Sequence, residues 1–226
     1  MKKIGFVGGI SWVSTVEYYK LVNEGVNQQL GGLHFAECVI YSIDFGTLQK
    51  MGGENAYSLL LNACQSLQKS EVDAIVLCAN TAHMYAEQLE KEIRLPIINI
   101  IDETANIILK NNYKNVGLLG TKYTMEMPFY KDKMENYGLK ILVPSPQKTR
   151  DYIQKTIKDE LGAGTVLKET KQEYLKIAED LIQDGADCIV LGCTELPLII
   201  KPEDLNIPVL DTLQIHASAI VKYILS

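Results

Sequence analysis

Two short segments of the sequence place polar, potentially reactive residues directly after an apolar run. Residues 73–81 read Asp-Ala-Ile-Val-Leu-Cys-Ala-Asn-Thr, and residues 187–195 read Asp-Cys-Ile-Val-Leu-Gly-Cys-Thr-Glu. When the two are superposed, Ala79 falls on Cys193. A cysteine thiolate is a nucleophile and also serves as a general base. The pair therefore indicates a site in which one copy supplies a thiol and the other copy supplies a methyl group.

Cys193 lies at the end of a predicted strand and just before a predicted helix start, in a polar turn. A helix N-terminus lowers the pKa of a thiol from about 8.5 toward neutrality, so we expect Cys193 to be the reactive thiolate. Cys38, Cys64 and Cys188 lie in apolar segments and are expected to be core residues. Cys78 precedes Ala79, and neighbouring strand residues point to opposite faces, so Cys78 is expected to point away from the site.

The histidines leave several possibilities open. His83 lies one turn into a predicted helix, where it faces either the site or the surrounding structure. His216 follows Asp211 by five residues. A hydrolase using Cys193, His216 and Asp211 is a weaker alternative, because it needs the imidazole within about 3 Å of the sulfur. Cys78 and His83 do not make a metal site without a third ligand, so no metal is expected.

Charge and composition exclude several classes of protein. The formal net charge is −6 and there is no basic stripe, so nucleic acid is not an expected partner. The sequence contains no run of about 18 apolar residues, so a membrane-spanning helix is not expected. The apolar segment at residues 1–9 is too short and too rich in glycine to be a signal peptide. The five cysteines form no C-x-x-C pair, which favours a reducing compartment; we expect a cytoplasmic protein.

Apolar runs bounded by Gly, Pro or Asn alternate with amphipathic stretches, which predicts a doubly wound α/β architecture. The runs are rich in Ile, Val and Leu, as in central strands of a parallel sheet covered on both faces. Strands are predicted at residues 3–8, 37–43, 73–78, 97–101, 115–119, 139–143, 187–191 and 207–210.

The intervening helices carry recognisable start and stop signals. Ser14 to Glu17 fits a capping box and predicts a helix with Tyr19, Val22 and Val26 on one face. A later helix is predicted from near Thr170 to just before Gly185, a residue suited to a helix C-terminus. Further helices are predicted with Ala56, Leu60, Ala63 and Leu67 on one face, after Thr81 with Ala82, Ala86, Leu89 and Ile93, and from about Thr212 to the terminus.

The similarity between the two segments extends along the chain. Residues 3–9 match residues 115–121, and "LPIINIID" ending at Asp102 loosely matches "IPVLD" ending at Asp211. We therefore predict two pseudo-symmetric halves, residues 1–110 and 111–226, each a four-stranded parallel sheet flanked by helices. In this prediction the C-terminal helix can pack against the first half. The active site is expected in the cleft between the halves.

The predicted strand ends suit a small anionic ligand. They are residues 8–11 and 78–81 in the first half, and residues 120–121 and 192–195 in the second. Turns that lead into helices present backbone N–H groups, which bind carboxylates. The G-x-G-x-x-G and G-x-x-x-x-G-K-[ST] patterns are absent, so a nucleotide is disfavoured.

The motifs "IGFVGGISWVSTVEYYKLVNEGV", "YSIDF", "LCANTAH", "LLGTKYTMEMPFYKDKM" and "LGCTEL" together resemble the aspartate/glutamate racemases, over about residues 3 to 217. The resemblance implies cofactor-independent racemisation of an acidic or broader-range amino acid by two bases on opposite faces of the α-carbon. It also implies a small amino-acid or dicarboxylate substrate and a homodimer. Family members usually carry a second cysteine at the position of Ala79.

The resemblance assigns roles to individual positions. Cys193 is the implied catalytic acid or base. The implied substrate-binding residues are Ile10 through its main chain, Ala79, Asn80, Thr81, Thr121, Thr194 and Glu195, with Thr124 nearby. Lys50, in the segment of residues 49–53, is a candidate partner for a side-chain carboxylate, although a solvated lysine is the ordinary interpretation.

Ala79 leaves three interpretations open, because a methyl group neither donates nor accepts a proton. The protein is a racemase with a substitute proton donor such as Thr81 or water, or a one-thiol decarboxylase or isomerase. The third interpretation is a catalytically impaired binding protein. An engineered replacement of cysteine by alanine at position 79 would give the same sequence.

Overall fold

The computed structural model describes residues 1–51 and 53–226. Its contacts divide the chain into two compact units. Unit 1 comprises Met1–Ile100 and His216–Ser226, and unit 2 comprises Ile101–Ile215. The domain boundary between residues 110 and 111 stays a prediction.

Unit 1 contains a parallel sheet of β1 (Ile4–Gly8), β2 (Cys38–Ser42) and β3 (Ala74–Leu77), in the order β2-β1-β3. The strand predicted at 97–101 is wrong. Within the described residues it is reduced to a parallel bridge between Ile75 and Ile97, in which Ile75 N–H donates to Pro96 O at 2.9 Å. The chain then enters a helix at Ile100, so its apolar residues continue a helix instead of a strand.

The helices of unit 1 cover the sheet through the residues that the apolar periodicity indicates. They are α1 (Trp12–Leu30), α2 (Phe45–Met51), α3 (Gly53–Gln68) and α4 (Ala86–Ile93), with a 3-10 segment at Thr81–Tyr85. The predicted faces are confirmed except at Ala56, which is half-buried. The others are buried in one cluster with strand residues: Leu60, Ala63, Leu67, Ala82, Ala86, Leu89 and Ile93.

Helix α1 starts earlier than the capping box predicted. Its N-cap is Ser11, whose Oγ accepts a hydrogen bond from Ser14 N–H at 3.4 Å. The buried apolar residues of this helix are Tyr18, Val22 and Val26, whereas Tyr19 is 49% exposed. The predicted choice of Tyr19 is therefore wrong by one position, because Tyr18 continues the four-residue spacing of the two valines.

Unit 2 contains a parallel sheet of four strands in its described residues, in the order β5-β4-β6-β7. They are β4 (Asn115–Gly120), β5 (Lys140–Leu142), β6 (Cys188–Gly192) and β7 (Val209–Asp211). The order matches that of unit 1: β5, β4 and β6 correspond to β2, β1 and β3, and β7 corresponds to the bridge at Ile97. The α/β class with parallel sheets flanked by helices is confirmed.

The helices of unit 2 are α5 (Ile100–Lys110), α6 (Lys122–Glu126), α7 (Pro128–Asn136), α8 (Gln147–Asp159) and α9 (Lys168–Gln183), and a last helix, α10 (Thr212–Ile224), is shared by the two units. Short 3-10 segments cover Leu161–Ala163, Leu196–Leu198 and Pro202–Asp204. Helix α10 begins with the last residues of unit 2 and continues into unit 1.

The predicted end of α9 is confirmed. Gly185 has φ +95° and donates its N–H to Ile182 O at 3.0 Å, while Ala186 N–H donates to Leu181 O at 3.0 Å. These two bonds form a Schellman motif, which satisfies carbonyls at the helix end and favours glycine at the left-handed position.

Equivalent hydrogen bonds support the internal repeat. Asp73 Oδ2 accepts from Lys3 N–H at 2.6 Å, and Asp187 Oδ2 accepts from Asn115 N–H at 2.8 Å, so each aspartate fixes the start of the central strand beside it. Ile189 N–H donates to Pro208 O at 2.9 Å, as Ile75 donates to Pro96. This correspondence aligns Asn99 with Asp211, so the sequence match that paired Asp102 with Asp211 is out of register.

Gly9 provides a test of the turn after β1. Its φ is +83°, and an added Cβ would collide with the backbone N and O of Ile43. Gly32 also has positive φ, +57°, but nothing lies within 4 Å of its Cβ position. We expect Gly32→Ala to cost about 1–2 kcal/mol of unfolding free energy. Gly9→Ala should cost about 1–3 kcal/mol more in urea titrations; equal losses would contradict the close approach to Ile43.

Candidate active site

The turn after β1 is held by a short chain of hydrogen bonds. Gly9 N–H donates to Thr15 Oγ1 at 2.9 Å, and that hydroxyl donates to Ser11 O at 2.9 Å. Thr15 sits in the first turn of α1, so the loop and the helix start are one unit of structure. Ile10, the predicted main-chain contact, lies inside this fixed loop and is half-buried.

The turn after β3 lies beside it, because β1 and β3 are parallel neighbours. Ala79 is half-buried and packs against the same apolar cluster as Leu77. Cys78, between them, is fully buried, and burial raises the pKa of its thiol. The expected direction of Cys78, away from the face of Ala79, stays a prediction. Asn80 is buried in right-handed helical conformation and Thr81 begins the 3-10 segment.

Two buried histidines organise the interior behind this turn. His83 is 4% exposed; its Nδ1 lies 2.9 Å from Ala79 O, and its Nε2 accepts from Ile100 N–H at 3.2 Å. His216 is 0% exposed; its Nε2 lies 2.7 Å from Ile98 O and its Nδ1 lies 2.8 Å from Tyr18 OH. The two rings meet edge to face at 5.6 Å.

The partners fix the tautomers. A carbonyl oxygen only accepts hydrogen bonds, so His83 carries its proton on Nδ1 and His216 carries one on Nε2. Burial, followed by the neighbouring His83, lowers the pKa of His216 to about 3, so this ring is neutral near pH 7. Its Nδ1 therefore accepts the Tyr18 hydroxyl proton.

These contacts overturn the hydrolase alternative. Both ring nitrogens of His216 are occupied within unit 1, leaving none for Cys193. Asp211 Oδ1 accepts from Leu213 N–H at 2.8 Å and so caps the start of α10. Its pKa is raised by burial. The proposed trio of Cys193, His216 and Asp211 is wrong as a charge-relay arrangement.

The turn after β6 in unit 2 contains a thiol and a carboxylate in contact. Cys193 is 8% exposed, and its S–H donates to Glu195 Oε2 at 2.9 Å. The Thr194 hydroxyl donates to the same oxygen at 2.8 Å. One carboxylate oxygen therefore gathers two donors, and the three predicted residues form a single polar cluster.

The expectation of a low thiol pKa at Cys193 is wrong. Burial, and then the negative charge of Glu195, raise the pKa of Cys193 well above its ordinary value. Hydrogen bonds from the backbone amides of Glu195 and Thr194 lower the thiol pKa, but by less than burial and the Glu195 charge raise it. The helix predicted to start after Cys193 is also wrong, since a one-turn 3-10 segment, Leu196–Leu198, follows the turn. At rest the group is a protonated thiol.

The turn after β4 lies next to Cys193, because Gly120 and Gly192 pair in the sheet. Thr121 caps α6: its Oγ1 accepts from Thr124 N–H at 3.3 Å and lies 3.0 Å from Thr124 Oγ1. A Cβ at Gly120 would approach the Thr124 side chain to 3.1 Å. Small residues therefore allow the two strand ends and the threonines to pack closely.

Other predicted features fall outside these turns. Lys50 is exposed, and its segment includes Gly52, which lies outside the described residues. Cys38 is half-buried on the edge strand β2, so its assignment to the core is wrong, whereas Cys64 and Cys188 are buried. In the described part of the chain, no group of three His, Cys, Asp or Glu could hold a metal ion, and no helix is suited to crossing a membrane.

The fold and the turns define a class: an α/β protein with a thiol–carboxylate pair at the carboxyl edge of a parallel sheet. The Asp/Glu/Hydantoin racemase family matches residues 7–220, and the chain belongs to this family. The resemblance found in the sequence is confirmed. Membership supports amino-acid racemase activity, an isomerase reaction on small amino-acid substrates.

Individual relatives extend the comparison. The broad specificity amino-acid racemase RacX of Bacillus subtilis is 23% identical over 217 residues, covering 92% of each chain. The crystal structure of a putative Asp/Glu racemase from Yersinia pestis superposes with a TM-score of 0.94 and 37% identity, with 100% of each chain covered. An aspartate racemase homologue from Pyrococcus horikoshii OT3 gives a TM-score of 0.88 and 33% identity, again over 100% of each chain.

The match to glutamate racemases is shorter. The Aquifex pyrophilus enzyme is 31% identical over 137 residues, which cover 60% of this chain and 51% of that protein. This alignment therefore spans about half the length of the glutamate racemase. The cytoplasmic location and the homodimer stay predictions.

Glu195 should control the reactivity of Cys193. Because its negative charge and its hydrogen bond both raise the thiol pKa, Glu195→Gln should lower that pKa and speed alkylation of Cys193 by iodoacetamide near pH 8. Peptide mass spectrometry would follow the rate, with Cys38 of the same sample as the internal control. An unchanged Cys193 rate would contradict the electrostatic role of Glu195.

His216 should make unfolding pH-dependent. Its pKa falls from 6.5 to about 3 on folding, so the unfolded chain binds the proton more readily as the pH drops. The stability is complete above pH 6.5 and is lost toward pH 3 by about 1.4 kcal/mol per pH unit. His216→Gln should show a shallower acid loss in urea titrations; parallel curves for both proteins would contradict the neutral buried imidazole.

Proposed function

We propose that this protein moves the α-proton of an acidic or broader-range amino acid without a cofactor, with Cys193 as acid and base on one face of the α-carbon. The observation that supports this most directly is the hydrogen bond from the Cys193 thiol to Glu195 at 2.9 Å. Both groups lie in a turn at the carboxyl edge of a parallel sheet, where ligands of open α/β sheets bind.

The substrate carboxylate is held by main-chain amides and by polar side chains. Ile10 and Asn80 supply backbone N–H groups from the turns after β1 and β3, and Thr81 and Thr121 supply hydroxyls. The Thr194 hydroxyl, which donates to Glu195 at 2.8 Å, turns to the carboxylate when substrate binds. Removal of the α-proton leaves a carbanion whose charge spreads onto this carboxylate. Donors already aimed at these oxygens stabilise that charge more than they stabilise the ground state.

Glu195 lets one sulfur serve both directions of proton transfer. As a thiol, Cys193 protonates the carbanion and is left as thiolate. To act as base, the thiol first transfers its proton along the existing hydrogen bond to Glu195. The thiolate then takes the α-proton and is again a thiol. Each step moves one proton. The cycle closes when water carries a proton between the Cys193–Glu195 pair and the group that serves the opposite face, so no other reactant is consumed.

Ala79 makes proton transfer slow on the face of the α-carbon opposite Cys193. The corresponding turn offers a methyl group that packs against apolar neighbours, so a hydroxyl such as Thr81 or a water molecule delivers the second proton. Loss of a well-matched acid or base costs about a hundred- to ten-thousandfold in rate. The same observation favours a second candidate, a one-face reaction such as decarboxylation or isomerisation in which only Cys193 handles the proton.

Incubation with single enantiomers of an amino-acid panel in deuterated water separates these functions. Loss of optical rotation with deuterium uptake identifies a racemase. Uptake at the α-carbon with retained configuration identifies a one-face thiol enzyme. Neither change, together with thermal stabilisation by an amino acid or a dicarboxylate, identifies a binding protein and would reject the proposed activity.

Position 79 should determine the rate of inversion. If the missing acid is the bottleneck, Ala79→Cys should raise racemisation at least about tenfold. The matched control is Cys193→Ser, which should abolish proton exchange. The double variant should exchange faster the enantiomer that the parent exchanges more slowly, because its single thiol lies on the other face. Exchange of the same enantiomer would show that residue 79 does not face the substrate.

A further inference from the structure

The buried His83 holds the peptide bond that joins Ala79 to Asn80. Its Nδ1–H donates to Ala79 O at 2.9 Å, and this carbonyl belongs to the turn assigned to substrate binding. The described residues contain no cis peptide bond, so the planar trans geometry directs the Asn80 N–H opposite to the Ala79 carbonyl. A donor that fixes the carbonyl on the buried side therefore also fixes the direction of the amide.

The second ring nitrogen prevents the imidazole from turning. Nε2 accepts the N–H of Ile100, the first residue of α5, and the N–H groups of a first helical turn require such acceptors from outside the helix. A neutral imidazole presents one donor and one acceptor on opposite sides of a rigid ring. Rotation of the ring by half a turn would lose both bonds, so the Nδ1–H tautomer and its aim at Ala79 are locked.

The turn in unit 2 is built differently. Cys193 O accepts from the backbone N–H of Leu196 at 3.2 Å, as in an ordinary 3-10 turn. The sequence position that corresponds to His83 there is Pro197, so this side has no imidazole to play the same part. The buried imidazole of His83 is therefore found only beside the turn after β3, which has Ala79 in place of a cysteine.

We propose that His83 is a positioning residue that aims the Asn80 N–H at the α-carboxylate of the amino-acid substrate. This inference rests on the proposed function and assigns the carboxylate-holding task to the turn after β3. Because the negative charge on the carboxylate increases as the carbanion forms, a misdirected amide lowers kcat more than it raises KM.

Two substitutions separate the two hydrogen bonds of the imidazole. In His83→Asn, the amide nitrogen takes the place of Nδ1 and still donates to Ala79 O, while the bond from Ile100 is lost. In His83→Gln, the amide oxygen takes the place of Nε2 and accepts from Ile100, while the bond to Ala79 is lost. Tyr18→Phe is the matched control, since it removes the 2.8 Å hydrogen bond to His216 without touching residues 79–81.

We expect the three variants to lose stability and to differ in catalysis. His83→Gln should lower kcat for α-deuterium exchange on the order of a hundredfold, the size of effect that misplaced positioning groups have. His83→Asn and Tyr18→Phe should stay close to the parent in kcat, measured well below their unfolding temperatures. Parent-like turnover in His83→Gln, or equal losses in His83→Asn and His83→Gln, would overturn the assignment.

A readout without substrate keeps this inference separate from the proposed function. In labelled protein, the Ala79 carbonyl carbon and the Asn80 amide resonances should move in His83→Gln and stay near their parent positions in His83→Asn. If the parent protein exchanges no amino acid, the proposed function fails. These spectra then test on their own whether His83 fixes the Ala79–Asn80 peptide bond. Unmoved resonances in His83→Gln would overturn the positioning role whatever the activity.

Discussion

Parallel pairing of the central strands determines where this chain can do chemistry. Because β1 pairs with β3 and β4 pairs with β6, residues far apart in sequence reach the same edge of a sheet. The pairing also demands small residues at the strand ends. Gly9 has positive φ and lies against the backbone of Ile43, and Gly120 and Gly192 lie against Thr124. Larger residues there would separate the turns that carry the polar groups.

The two units place different chemistry in equivalent turns. After β6, a thiol and a hydroxyl both donate to the carboxylate of Glu195. After β3, the methyl group of Ala79 occupies the corresponding position, and the locked imidazole of His83 holds the carbonyl of Ala79. The first arrangement suits a reacting group. The second suits a rigid binding element, because its hydrogen bonds orient backbone amides and leave no titrating side chain at position 79.

The sequence predicts the strands well where apolar runs end at glycine or a polar residue, because such runs suit only a buried strand. It fails at residues 97–101, whose composition also suits the start of α5, and at Tyr19, where one position decides which face is buried. The polar residues of the site are visible in the sequence. The partners of His83 and His216 are not, because their contacts depend on tertiary packing between distant segments.

The raised pKa of Cys193 is compatible with a proton-transfer role, although it removes the resting thiolate that the sequence suggested. A thiol that holds its proton firmly gives a thiolate that is a stronger base, and the α-proton of an amino acid is a weak acid that requires one. The disadvantage is the small population of thiolate, which the negative charge of Glu195 reduces further. Burial keeps water from competing for the thiol and strengthens the interaction of each charge with its neighbours. A buried thiol–carboxylate pair thus suits slow formation and rapid use of the base, whereas an exposed thiolate would suit attack on an electrophile.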